Sequence, residues 1–568
     1  MTIGESPFQS SLSTPAAVLD AAQPAPVALA AGDRSRQFWK RADEILDFLG
    51  DRLNPILVKE ARQAMKSKQF SVTFTLLLIV GWIWTVLFIA FTVPGVYYAP
   101  WGMTLLGGYY IFLSIPLLIV VPFAAFRSLA AETEDGTFEL LSITSLNARQ
   151  IVAGKLGSAV LQMLVYYSAL APCIAFTYLL KGVDIITIGL LLLYTFIASV
   201  MLAIVGLVAA TVTRSRHWQV LISVLLVMGL LFFALIFDWA FFVFLAEGGG
   251  VMPYDDWEFW AGNVAAFSFC AAFGLLFLFI AAGQITFASE NRSTRIRYVL
   301  LGIQALLIAW CVGMWRGVPS NDSHYMLWTM VILAGIYWMV CGSLMCGENA
   351  QLSPRAKREL PQSILGRVLF TWFNPGSGSG YTFAVLNLLA LIMVEVAAFT
   401  WAYLIGDEKV PIDSTWLKVS VCVWGYVAGY MGFVRLLVSL GRRLISINML
   451  AAFLFQVVFA LMGLLVPLLL LSIQSAGDFS YWNYSELQIP NWFWTLLELT
   501  ALQNRAAVSW PIPIIILLVG GFIFLVNLFD TAFEVEQTRT LAPQRVLDDD
   551  AAHRPQAIKR KKNPWDEG

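Results

Sequence analysis

The chain has 568 residues, of which 59% are hydrophobic and 13% charged, and its formal net charge is −1. Soluble domains carry about a quarter charged residues, so this composition excludes an ordinary soluble globular protein. The near-zero net charge likewise removes any bulk electrostatic attraction for nucleic acid, which is not expected as a partner.

The N-terminal stretch, residues 1–35, is rich in Ala, Pro and Ser, has no basic region ahead of an apolar core, and reads as a disordered leader. Residues 36–70 read as cytoplasmic interfacial helices. Ile45, Leu49 and Leu53 share one helical face. Asn54 then has the chemistry of an N-cap, with Pro55 at the first helical position. Leu57, Ala61 and Ala64 would turn inward, and Lys59, Arg62 and their basic neighbours outward, with Glu60 among them. Such a helix suits the surface of a cytoplasmic leaflet.

About twelve apolar runs follow, each near the ~20 residues that cross a bilayer. They lie near 71–92, 102–126, 157–180, 185–212, 219–245, 261–287, 298–314, 325–346, 381–405, 416–440, 444–472 and 510–529. The fold class is therefore all-α, a polytopic helical membrane protein. Lys and Arg crowd into alternate connections, which places both termini and the 132–155 loop in the cytoplasm. On this reading 71–290 is a six-span core, 291–530 a second six-span region of open role, and 531–568 a cytoplasmic tail whose "KRKK" suits anionic lipid. The aromatic-rich outer connections 247–260 and 480–500 suit a headgroup belt, or else a substrate-facing rim. No internal repeat is readable. Asn374-Pro375 resembles Asn54-Pro55, but the second half offers only "GRR" (441–443) against the first half's long loop.

Chemistry-bearing residues are few. All six cysteines fall inside apolar runs and read as small packed hydrophobes. His217, His324 and His553 are too far apart in the chain to suggest a catalytic or metal constellation. "AGKL" at 153–156 lacks the first glycine and the Ser/Thr of a phosphate-binding loop. "GSGSG" at 376–380 reads as a flexible linker. Ionisable residues inside spans are functional candidates. Glu395 lies deep in the ninth span with Asn387 two turns earlier. Arg435 in the tenth is near enough to the cytoplasm to snorkel. Asp238 either closes the fifth span or starts a short outer helix.

The 132–155 loop is long and helix-patterned. It reads as a docking element, with Asn147 capping a short amphipathic helix that shows Ile151 and Val152 on one side and Arg149 on another. In order it carries Glu132, Gly136, Thr137, Phe138, Glu139 and Leu141, then Leu146, Arg149, Ile151, Gly154 and Lys155. This resembles the permease subunits of the ABC transporter type-2 exporter family, with Ser145 where that family usually has proline. The entry helix "NPILVKEARQAMKSKQF" is similar to theirs, and the resemblance covers about residues 36–290.

The resemblance implies a bacterial inner-membrane exporter core with no catalytic residues or cofactor of its own. Its motor would be a separate ABC ATP-binding subunit, which binds the ATP and touches the interfacial helix and this loop. It also implies a dimeric or pseudo-dimeric assembly and short re-entrant helices between spans five and six. Two other classes stay open: an ion-coupled secondary carrier using Glu395, and a non-transporting scaffold or an enzyme.

Overall fold

The structure, a computed structural model, describes residues 54–95, 98–134, 147–180, 182–212, 216–247, 252–286, 292–317, 325–348, 372–405, 415–442, 449–474, 484–500 and 508–538, with a few isolated positions besides. These residues are mostly helical, and no strand occurs among them. Helix α1 is Pro55–Met65. The first six spans are α2 (Lys68–Thr92), α3 (Gly102–Glu132), α4 (Ala148–Leu179), α5 (Ile185–Thr211), α6 (Arg216–Glu247) and α7 (Trp257–Ile285). The next five are α8 (Ser293–Gly317), α9 (Tyr325–Cys346), α10 (Ser377–Leu404), α11 (Thr415–Gly441) and α12 (Met449–Gln474). A short helix α13 (Trp492–Thr500) precedes the last span, α14 (Pro511–Thr538). Twelve of these helices are long and apolar enough to cross a bilayer, and the chain is a multi-pass membrane protein. Residues 36–53 lie outside the described residues.

Several sequence expectations change in detail. Residues 148–156 are not a separate docking helix but the first turns of α4, which runs 32 residues without a break. At 1.5 Å per residue that is about 48 Å, longer than the ~30 Å hydrocarbon core, so α4 projects beyond it. Its start is fixed by the Asn147 backbone N–H donating to Gln150 Oε1 at 3.0 Å. Asp238 does not start an outer helix, because α6 continues through it to Glu247. "GSGSG" is no flexible linker: Ser377, Gly378, Ser379 and Gly380 are buried in the first turn of α10. Glycine here serves close packing, since a Cβ on Gly378 would lie 2.5 Å from Thr531 Oγ1 and 2.8 Å from an Arg435 guanidinium nitrogen.

Buried side chains fall into two main sets. One joins α2 to α7 through Leu105, Tyr109, Leu117, Met163 and Leu207. The other joins α8 to α14 through Leu327, Trp338, Tyr381, Val423 and Ile516. Helices α7 and α8 connect them, with Trp310 Nε1 donating to Ser268 Oγ at 3.0 Å.

Each set is wired alike. In the first, α2 packs on α3 and α4, α3 on α4, α5 and α6, α4 on α5 and α7, and α5 on α6 and α7. In the second, α8 packs on α9 and α10, α9 on α10, α11 and α12, α10 on α11 and α14, and α11 on α12 and α14. Position for position these are the same pairings. In both, the consecutive fifth and sixth spans are missing from the principal contacts, although neighbours in sequence usually pack.

The 480–500 connection is more than a belt at the membrane surface. Trp492 Nε1 donates to the Ala460 carbonyl at 3.1 Å, Gln488 Nε2 to that of Pro467 at 3.1 Å, and Asn491 Nδ2 to that of Leu464 at 3.4 Å. The Tyr426 and Tyr430 hydroxyls donate to the carbonyls of Ile489 and Pro490. Ala460 is about 21 Å along α12 from Gln474, so 486–500 turns back into the bundle between α11 and α12. Gln488, Asn491 and Thr495 are fully buried in it, with Phe493 and Leu497 facing outward.

Candidate functional site

The polar chemistry of the first six spans gathers where α1 meets the start of α4. Asn54 caps α1, its Oδ1 accepting from the Ile56 N–H at 3.1 Å, while its amide donates to the Gln150 carbonyl. Ile56, Glu60 and Ala61 are buried, and Pro55, Lys59 and Arg62 are exposed on the other face. Gly154 allows the approach, because a Cβ there would lie 3.0 Å from Ile56. Ile151 and Val152 are both buried, Val152 within the core of the first six spans, so they do not form an outward knob for a partner.

Beneath α1 sits an ion cluster. Lys155 Nζ lies 3.1 Å from Glu60 Oε1 and 3.0 Å from Glu132 Oε1, and donates to the Ser128 carbonyl at 3.0 Å. The lysine side chain is 1% exposed and its two carboxylates 11% and 14%. Buried charges of this kind hold only when paired, and removing one partner leaves the others uncompensated. One ammonium thereby fastens α1 to the end of α3 and the start of α4. Glu132 and Lys155 are consequently internal fasteners rather than a solvent rim. Arg149 is exposed, with its guanidinium 5.6 Å from the Phe279 ring centre. Gly136, Thr137, Phe138, Glu139 and Leu141 lie outside the described residues.

The second six spans have their own fastener at the corresponding end. Arg297 on α8 pairs with Glu348 Oε2 at 2.7 Å, and also donates to the Trp372 carbonyl and to Ser379 Oγ at 3.3 Å. Glu348, just past α9, further accepts from Ser293 Oγ at 2.9 Å and from the Gly376 N–H at 3.4 Å. Arg442, at the end of α11, donates to the Gly347 and Glu348 carbonyls at 2.6 and 3.2 Å. The ends of α8, α9, α10 and α11 are thus tied together.

Deeper in the bundle, Arg435 does not snorkel out. Its side chain is 0% exposed and pairs with Asp530 at 2.7 Å, with further bonds to Asn527 Oδ1 at 2.8 Å and the Asn527 carbonyl at 3.0 Å.

The remaining candidates are separate from these clusters and from one another. Glu395 is fully buried, and Ser420 Oγ donates to its Oε2 at 2.5 Å. Asn387 donates to its own helix at Phe383, while its carbonyl accepts from Gln304 Nε2 at 3.0 Å. Asp238 accepts from Ser114 Oγ at 3.1 Å, directly before a π-helical turn over Ile115–Val120 in α3. Such turns recur at functional sites. Among the described residues, no group of three or more His, Cys, Asp or Glu is placed to hold a metal ion.

Sequence reasoning missed Glu348, Asp530 and Asn527. A signal existed for the last two, since Asn527 and Asp530 are one helical turn apart near the end of the last span and so share a face. No family model, curated protein or solved structure matches the chain.

Proposed function

We propose that this chain is the permease of an ATP-driven exporter of the ABC type-2 class, resident in the plasma (inner) membrane and moved by a separate ATP-binding subunit. The observation that supports this best is the Glu60–Lys155–Glu132 cluster. A helix with one basic, exposed face is locked by a buried ammonium to the ends of two spans, so a displacement of α1 is passed directly into α3 and α4. A motor acting on the Lys59–Arg62 face needs such a linkage, whereas a scaffold has no use for it. The chain would bind no ATP itself, the nucleotide belonging to the partner.

The burial of Glu395 favours a second reading, an ion-coupled carrier, because a carboxyl in the bilayer interior is costly to keep without a task. It has one hydroxyl donor in Ser420 and no ion pair in the described structure, which suits a hydrogen-bonded structural group equally well.

Purifying the full chain with its native partners, followed by identification of co-eluting chains, tests the main reading. An ATP-binding subunit is expected, together with hydrolysis that requires it. Hydrolysis by this chain alone, or transport with no such subunit present, would overturn the proposal.

A further inference from the structure

The second six spans have no counterpart to the sequence pattern of the first, yet their helices pair in the same way. Pairing of sequence neighbours alone would carry little weight, because most bundles show it. The informative pairs are the non-neighbours: first with third, second with fourth and fifth, third with sixth, and fourth with sixth. All recur, and among the described residues neither half has its fifth and sixth spans among the principal contacts.

Two further features recur at matching places. The fourth–sixth crossing runs through glycine in both halves: Gly274 of α7 faces Met201 and Ile204 of α5, and Gly520 of α14 meets Gly425 of α11 backbone to backbone. An acidic residue at or just past the end of the second span is ion-paired in both, though to different spans: Glu132 with Lys155 of the third span, and Glu348 with Arg297 of the first. Six spans is an even number, so the two halves cross the membrane in the same sense. They therefore form a parallel repeat, related about an axis along the membrane normal.

We infer that residues 293–538 are a second copy of the permease unit formed by 68–285, so that one chain supplies both membrane halves and the working transporter contains one copy of this chain with two ATP-binding subunits. The stoichiometry rests on the function proposed above, whereas the duplication rests on the packing alone. The chain corrects its own sequence here: divergence has erased the repeat from the residues while the helix pairings keep it. The fusion also gives the second unit a role, because the linked ends of α8, α9, α10 and α11 lie on the same side of the membrane as the linked ends of α3 and α4.

The test is the native mass of the complex of the full-length wild-type chain, purified in mild detergent after co-expression of two differently tagged copies. The expected result is one chain with two ATP-binding subunits, and no recovery of one tag through the other. Two chains with two ATP-binding subunits would overturn the inference that one chain supplies both membrane halves, and leave the transporter reading standing. A single chain with one such subunit would show that the second unit takes no motor, and would overturn the stoichiometry. A complex with no ATP-binding subunit at all would overturn the transporter reading itself, and the stoichiometry with it.

Discussion

The two ion clusters fasten equivalent places with different hardware. In the first unit a lysine sits between two carboxylates, one of them on α1, a helix whose far face is exposed. In the second, a fully buried arginine spreads its donors over Glu348, Ser379 and the Trp372 carbonyl, all on the spans or the segments next to them. Lysine is a compact point charge on a flexible stem, and arginine a rigid fork. The first cluster can let go of one arm if α1 lifts and Glu60 meets water. In the second every partner of the arginine lies on a span or on a segment next to one, and Glu348 is itself 15% exposed.

Substitutions can break that contrast. The largest effect is expected for Arg297→Met, which takes the ion-pair partner from Glu348 and removes the bonds to the Trp372 carbonyl and Ser379 Oγ; it should cost about 3–5 kcal/mol, the range for removing one partner of a buried pair. Lys155→Met should cost less, about 1–3 kcal/mol, because Glu60 can rehydrate as α1 lifts. Thermal unfolding of the detergent-solubilised full chain reads both. A Lys155→Met loss equal to or greater than that of Arg297→Met would remove the distinction. Adding Glu60→Gln to Lys155→Met should restore part of the loss, since the two sites share one interaction and are not additive.

The helix crossings offer a sharper version of the same comparison. Gly520→Ala would place a Cβ 2.5 Å from the Gly425 carbonyl oxygen, and overpacking of this kind costs about 1–3 kcal/mol. Gly274→Ala would meet only the ends of flexible side chains, Met201 Sδ at 3.3 Å and Ile204 Cδ1 at 3.4 Å. It should leave unfolding nearly unchanged. Equal losses at the two glycines would mean that the second unit is not the tighter one.

Smallest of all is the change expected for Glu395→Gln. The Gln carbonyl oxygen can accept the Ser420 hydroxyl as the carboxylate does, so stability should shift by less than about 1 kcal/mol and ATP-driven transport should persist. Loss of transport with folding and ATP hydrolysis intact would favour the carrier reading instead.

Much of the fold could be read from the residues, because crossing a bilayer forces apolar runs and leaves charge in the connections. Each of the twelve spans expected from hydropathy has a helix in the structure. What the sequence hid was contact. Lys155 looks like one more basic residue near a span end, and only the approach of α1 through Gly154 shows it to be enclosed. Ile151 and Val152 suit an outward face in the sequence, yet both are buried. Glycine and serine at 376–380 suit a linker or a tight crossing equally well, and composition cannot choose between them. Asp530 fell just past the expected end of the last span, so it was not available as a partner for Arg435.

The repeated pairing of helices on one chain has a consequence for inheritance. In a transporter made from two identical chains, every substitution appears twice, and a change that helps one side must be tolerated by the other. When both halves are joined in tandem, each position is present once per complex. The first unit could keep a lysine between two carboxylates while the second adopted an arginine, and 486–500 could turn inward in the second without a matching change in the first. On the inference above, covalent joining of the units would free each to specialise.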